Sequence, residues 1–556
     1  MNKRLIWTFW AVVLLTTATA QLSDNQFKAV DDLFKEWNQP NHPGGVVGVR
    51  KGGENVFLKA YGLASLDYLI PNQPSTIFNI ASVSKQFTAM GILLLEREGK
   101  LSVDDKISKY IPNLSDIGDK ITIRHMLHHT SGIRSFHELL FYAGWRGNDL
   151  RTNEDIYRLM ENQEDLNFEP GDQYMYCNTG YIYMAYIIEK ITGESFPDWM
   201  KQNVFLPLGM RDTYVEADPS NVVPGNATSY YGRSQGVFQR SIDYWAYVGS
   251  GNVHATVTDL LVWGENFYNP KTGWEDLFQR LETTDPFNDG SPNEYAFGVS
   301  VNNVKGKKVV AHSGSIGGFR SNFVAVPEEE LVITILTNYN RTNPGGRTFQ
   351  VFDVVVDTKS SEEKDDLQQE EAKTIKLSTN ALKKFENYFW NPQDKYVRRI
   401  YVKNDTLRYW RNENSESKLV PVGKTTFKML DAGNGNYRVL FEGQGEKTKM
   451  IFQNEDGSLV YSDRFLPTES TESELKSYTG KYYSPELDVY YTFEWNDGEL
   501  TWYHQRRGYG KVSRIKQDVL STGEFIAEFE RDQSGVVTKA KFYSGRVKHL
   551  RMEKVE

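Results

Sequence analysis

The sequence predicts an α+β fold. An antiparallel sheet flanked by helices and carrying a helical insertion is followed by two small antiparallel β-barrel-like domains. Three observations carry this expectation. A glycine-punctuated hairpin pattern follows residue 44, and strand patterns return only near residue 296, so both ends of one long segment supply the sheet. Between them, at about residues 82 to 200, apolar residues recur at helical spacing. Beyond residue 375 the sequence repeats itself.

In chain order, Lys3 and Arg4 precede an apolar run from Leu5 to Leu15, and Ala18-Thr19-Ala20 offers small residues before Gln21. This is the pattern of a secretory signal peptide over residues 1–20, so a periplasmic or secreted protein is expected. No other stretch approaches ~18 consecutive apolar residues, so no stable membrane span is expected in the mature chain. The one cysteine, Cys177, leaves neither an internal disulfide nor a lipid-anchoring thiol at the cleavage point. The formal charge is −9, and −11 once Lys3 and Arg4 leave with the leader, a balance that gives nucleic acid no footing. A chain of 556 residues calls for more than one domain. Expected boundaries are 21–358 for the main domain, 359–374 for a charged linker, and 375–468 and 469–556 for the β-domains.

Within the main domain, Gly45-Val46-Val47-Gly48-Val49-Arg50-Lys51-Gly52-Gly53 followed by Asn55-Val56-Phe57-Leu58 reads as a hairpin with a glycine turn. Pro74 to Ile80 reads as an extended approach, after which Ser82 opens a helix. Phe87, Met90, Gly91 and Leu94 keep that helix apolar for about five turns, and Gly99 ends it. Further strands are expected near 296–301, 308–312, 322–326 and 331–337.

The first turn of the helix at Ser82 carries chemistry. Residues three apart share a helix face, so the Ser82 hydroxyl and Lys85 ammonium would lie side by side. A serine needs a neighbour to take its proton, and a lysine in a dry pocket can do so. Ser-x-x-Lys alone also fits a helix cap with a solvated lysine. Two more stretches join it: Tyr174-Met175-Tyr176-Cys177-Asn178-Thr179-Gly180 after the turn at Pro170-Gly171, and His312-Ser313-Gly314-Ser315-Ile316-Gly317-Gly318 after the apolar Val309-Val310-Ala311.

The order Ser-x-x-Lys, Tyr-x-Asn, His-x-Gly resembles the penicillin-recognising serine hydrolases, specifically their class C β-lactamase-like branch. That branch includes β-lactamases, D,D-peptidases, some esterases and D-aminopeptidases. Phe78 to Lys85, Ile121 to Leu127 running into His129-Thr130-Ser131-Gly132, and Leu208-Gly209-Met210 are similar to the family's wording, and the likeness covers about residues 40 to 340. The resemblance implies Ser82 as nucleophile, Lys85 and Tyr176 sharing its proton, and Asn178 on the substrate amide. It also implies His312, Gly314 and Ser315 on the substrate-binding strand, with backbone N–H groups of Ser82 and Ser315 holding the oxyanion. No cofactor or metal is implied. His312 stands where lysine is commoner and would be less reliably cationic near neutral pH, since its ordinary pKa is about 6.5.

One catalytic domain followed by two similar β-domains resembles the D-aminopeptidase architecture in particular. The expected function is therefore an exported serine hydrolase acting on a small-molecule or peptide substrate, most like a D-aminopeptidase or D,D-peptidase. Alternatives are a carboxylesterase, a β-lactamase, a non-turnover penicillin-binding protein, or a binding protein associated with cell-wall or polysaccharide material.

Other residues have plainer readings. Cys177 is a small buried residue. His125, His128 and His129 could share a helix face as metal ligands, but no carboxylate is placed to complete a site. Phe136, Phe141, Tyr142 and Trp145 read mainly as core. In the tail, Leu382 to Phe385 recurs at Leu475 to Tyr478, and Asn404 to Trp410 at Asn496 to Trp502, with Asn434-Gly435, Asp456-Gly457 and Asp497-Gly498 as turns. Trp410 and Trp502 are expected in barrel cores. By the resemblance, a loop of the last domain gates the active site, with 505–510 and 528–532 as candidates. Truncation near residue 470 would then broaden access while leaving the chemistry intact.

Overall fold

The computed structural model describes residues 21–556 except 115, 235, 357–373, 413–414, 431–436, 454–458 and 468–469. The expected leader, nearly all of the charged linker, and the turns at Asn434-Gly435 and Asp456-Gly457 lie outside the described residues.

The glycine turn closes the expected hairpin as β1 (Gly45–Lys51) and β2 (Glu54–Tyr61). Four later strands, β3 (Ser300–Val304), β4 (Lys307–Ile316), β5 (Phe319–Val326) and β6 (Leu331–Thr337), complete an antiparallel sheet in the order β3-β4-β5-β6-β1-β2. Val46 faces α4 (Val257–Glu265) and the helical region. Its neighbours Val47 and Val49 face the opposite layer, with Val351 and Phe352 of α5 (Pro344–Val356). That alternation is the period-2 pattern of a strand buried on both faces.

The strand expected at 296–301 begins only at Ser300, because Gly298 (φ +77) turns the chain against the backbone of Lys85 and Gln86. Strand β4 runs four residues further than expected and carries His312, Gly314 and Ser315 within it. Ser82 does not open an α-helix. Ala81–Ser84 is a 3-10 turn, entered through a left-handed Ala81 (φ 51), and α1 (Lys85–Arg97) follows. A non-glycine residue in that region costs energy, and here it sits immediately before the predicted nucleophile. Helix α1 is buried along nearly its whole length and packs on α3 (Asn178–Thr192).

The first C-terminal unit is a closed barrel of eight strands, from Asn387–Asn391 to Leu459–Phe465. The second is a nine-stranded antiparallel sheet from Gly480–Ser484 to Val547–Lys554. Its edge strands, Gly508–Lys511 and Ser513–Lys516, are separated by Val512 alone, so the sheet is nearly closed. Each unit begins with a short helix and three strands whose starts differ by 93 residues: 379 and 472, 387 and 480, 396 and 489, 406 and 499. Trp502 is buried in the second core. Trp410 is not in the first; it is half-buried and lines a cavity between the two units, because Leu407 and Tyr409 take the inward positions of its strand.

The last unit shares one continuous apolar core with the catalytic domain. Tyr142 of α2 (Phe136–Tyr142) packs on Phe525, and its carbonyl accepts a hydrogen bond from Tyr491 Oη at 2.9 Å. Fully buried Arg134 pairs with fully buried Glu486 and donates to the carbonyls of Lys548 (3.0 Å) and His549 (3.1 Å). The first barrel keeps its own core and meets the last unit through the small cluster Trp390, Ile515 and Val519.

Candidate active site

The 3-10 turn holds Ser82 at the meeting of two cavities of about 320 and 620 Å3, both lined also by Asn178 and Ser315. Lys85, one turn on, is fully buried. Its Nζ donates to Ser82 Oγ at 3.2 Å and to the Ser250 carbonyl at 2.7 Å, and lies 4.8 Å from the ring centre of Tyr176. Burial holds its ammonium well below the usual lysine range, and the positive charge of Arg546 pushes the same way.

Tyr176 ends the segment before α3, and its ring packs on His129 with centroids 4.2 Å apart. Burial pushes its phenol far up, with nearby Ser82 opposing, so the group is a protonated hydroxyl. That hydroxyl is buried and makes no hydrogen bond of ordinary geometry. Asn178 is the first residue of α3, and its Oδ1 is likewise buried and unpartnered. Both polar atoms border the larger cavity, where a substrate could satisfy them.

His312 on β4 lies between two groups. Its Nδ1 donates to the Ser313 carbonyl at 2.6 Å, which leaves Nε2 to accept from Tyr295 Oη at 3.0 Å. Burial, reinforced by Lys85, lowers its pKa to about 3, so the imidazole is neutral at pH 7. Gly314 is required by close approach: a Cβ there would lie 2.2 Å from Ser321 Oγ and 2.4 Å from the Ile80 carbonyl. Strand β4 can therefore lie directly against the approach to Ser82.

All seven expected site residues thus border one cleft or the strand that forms its wall. The three histidines do not converge. His129 Nδ1 accepts from the Cys177 N–H (3.0 Å), and His128 lies between the Tyr295 carbonyl and Asp285. His125 takes part in a capping box with Thr122. Cys177 is buried, its Sγ against the Ile133 carbonyl. Phe136 and Tyr142 are core, whereas Phe141 stacks under the guanidinium of Arg507, 3.4 Å away.

Neither expected gate segment borders the cavities at Ser82. Arg506 in the first pairs with Asp149, and Glu528 in the second faces Lys395 of the first barrel. The last domain reaches the site through the turn at Ser544-Gly545-Arg546 instead. Arg546 donates to Glu138 (2.9 Å) and to the Tyr176 carbonyl (3.4 Å), and it lines the larger cavity. This turn carries no sequence signal beyond a glycine between two strands. Ser250, Tyr295, Arg151 and Arg320 were also illegible, being single residues without motif spacing.

A serine against a buried lysine, beneath a tyrosine whose hydroxyl is buried and beside a strand lined by His-x-Gly, defines a serine hydrolase. Residues 28–351 match the Beta-lactamase family model, and the chain belongs to that family. It is 30% identical over 338 residues to penicillin-binding protein 4* of Bacillus subtilis, spanning 57% of this chain and 73% of that protein. Similarity to the D-aminopeptidase of Brucella anthropi is 24% over 530 residues, spanning 89% of this chain and 92% of that protein, so it extends through the β-domains. Among solved structures, the octameric penicillin-binding protein homologue from Pyrococcus abyssi has the same fold, with a TM-score of 0.55 at 22% identity over 79% of this chain and 99% of that one.

Proposed function

We propose that the protein hydrolyses amide or ester substrates through an acyl ester on Ser82. Neutral Lys85 accepts the Ser82 proton as Oγ attacks the carbonyl. Backbone N–H groups of Ser82 and Ser315 hold the oxyanion. The Tyr176 phenol, poised over Lys85, hands a proton to the leaving group and recovers one from Lys85. Asn178 orients the substrate amide, and water then releases the acyl group. The observation that carries this reading is the fully buried Lys85 Nζ, 3.2 Å from Ser82 Oγ and held by no carboxylate among the described residues.

Similarity to D-aminopeptidases supports action on small D-amino acid derivatives or peptides. The signal-peptide pattern supports a site of action outside the cytoplasm, where cell-wall peptides are available. The test is covalent labelling. A serine-directed phosphonate should add its mass to the peptide containing Ser82, and Ser82→Ala should lose both label and activity. Adding Lys85→Ala to Ser82→Ala should cost little more, because effects within a catalytic unit are not additive. Labelling that survives in Ser82→Ala removes the proposal.

A further inference from the structure

From the charge of the cleft, and resting on the Ser82 reading above, we infer that the preferred substrates carry a carboxylate in their acyl portion, bound by Arg320 with Arg151. Among the described residues, the two cavities at Ser82 are lined by Arg151, Arg320 and Arg546 and by no aspartate or glutamate. Arg546 is paired with Glu138. Arg320 spends one nitrogen on the carbonyls of Gly317 (3.0 Å) and Phe319 (2.6 Å) and has no carboxylate partner among the described residues. Arg151 donates to the Arg146 carbonyl (2.8 Å), and its buried Nε has no partner. Asp243 stands behind Gly317, where its oxygens accept from Ser229 (3.2 Å) and Ser241 (2.6 Å). His137, which lines both cavities, is neutral because burial lowers its pKa to about 3.

Arg320 is half-buried and Arg151 is buried, and the carboxylate nearest in effect to Arg151, Asp149, is itself paired with Arg506; two such guanidiniums facing a cavity beside a nucleophile make an anion site. The cavity holding both is the smaller one, which Tyr176 does not line. Because Tyr176 protonates the leaving group, the leaving group occupies the larger cavity and the acyl chain the smaller. On the other side His312 is neutral and Arg546 is paired with Glu138, which leaves Arg320, bordering both cavities, as the guanidinium with no carboxylate partner among the described residues. A substrate with a free amine in its acyl portion would meet guanidiniums, so like charges oppose it, and the inferred preference departs at this point from the free-amine substrates that the name D-aminopeptidase implies for the relatives.

The test uses the full chain and three aryl esters that differ at the acyl terminus, p-nitrophenyl hydrogen glutarate, p-nitrophenyl valerate and p-nitrophenyl 4-aminobutyrate, each rate being the excess over the enzyme-free rate because the first and third also lose p-nitrophenol by attack of their own terminal group. The kcat/KM ratio of glutarate to valerate should be about tenfold or more, with the amine ester slowest. The ratio should fall with added salt. Arg320→Gln should collapse it, and Arg320→Lys should keep part of it, each ratio being taken within one folded protein. Equal rates for the glutarate and valerate esters, faster turnover of the amine ester, or a ratio unmoved by Arg320→Gln would overturn the inference. Phosphonate labelling of wild type separates the two levels: with Ser82 labelled and no charge preference, only the carboxylate inference fails. Without labelling, both fail.

Discussion

The barrel at 387–465 and the nearly closed sheet at 480–554 begin with the same helix and strands 93 residues apart, yet only the second is built into the catalytic unit. Equivalent positions show how. Glu486 is buried against Arg134, while its counterpart Gln393 is exposed. Tyr491 donates to the Tyr142 carbonyl, while its counterpart Arg398 donates to Tyr409 inside its own barrel. The repeat sets the fold of each unit, and the side chains at equivalent positions set what that unit joins.

That difference has measurable consequences. The largest is expected at the buried ion pair. Glu486→Gln removes the buried partner of Arg134 and leaves it only the exposed Asp165 carboxylate at 3.8 Å, which should destabilise the catalytic unit by about 3–5 kcal/mol. Gln393→Ala, at the equivalent exposed position, should change stability by less than about 0.5 kcal/mol. Chemical denaturation of both variants checks the pair, and equal effects would break the comparison.

Acid should separate the two units next. Burial lowers His312 and His137 to about 3 and His125 to about 4, while each has its ordinary value near 6.5 in the unfolded chain. Between pH 6.5 and those values the unfolded state binds more protons, so the stability of the catalytic unit falls as pH falls. Residues 375–468 contain no histidine, and the first barrel lacks this contribution. Thermal melts from pH 7 to 4 should show the catalytic transition moving down more steeply than that of the barrel.

The smallest effect belongs to the contact between the units. Asp394 pairs with Lys548 at 3.1 Å across that boundary, with the carboxylate 44% exposed. Asp394→Ala takes a half-exposed partner from the buried Lys548, so it should cost about 1–2 kcal/mol, less than Glu486→Gln, and leave ester hydrolysis within error. A large loss of activity would mean that the first barrel also belongs to the catalytic unit.

Much of this was legible in the sequence because it lies in spacing. The three motifs, the hairpin and the 93-residue repeat are local patterns, and the sheet that joins chain ends follows from where strand patterns stop and return. What was illegible depends on docking. Arg546 meets Tyr176 across 370 residues of sequence, through a turn that looks like any other glycine turn. The two segments expected as a gate, the glycine-punctuated 505–510 and the acidic 528–532, make ion pairs at other boundaries instead. Trp410 was assigned to a core because strand alternation identifies two faces without saying which is inward. The sequence predicts a helix opening at Ser82, whereas the chain enters through the left-handed Ala81 and a 3-10 turn, so the α-helix starts at Lys85.

The central claim is that Lys85 is the proton acceptor for Ser82 and that the last domain tunes it through Arg546. The direct measurement is the pH dependence of Ser82 phosphonylation in wild type and Arg546→Ala. Both profiles should rise as Lys85 loses its proton. Removing the Arg546 charge favours protonated Lys85, so the Arg546→Ala midpoint should move to higher pH, with Glu138→Gln as a control that leaves Arg546 in place. Superimposable profiles, or a midpoint at the ordinary lysine value near 10.5 in wild type, would contradict the account.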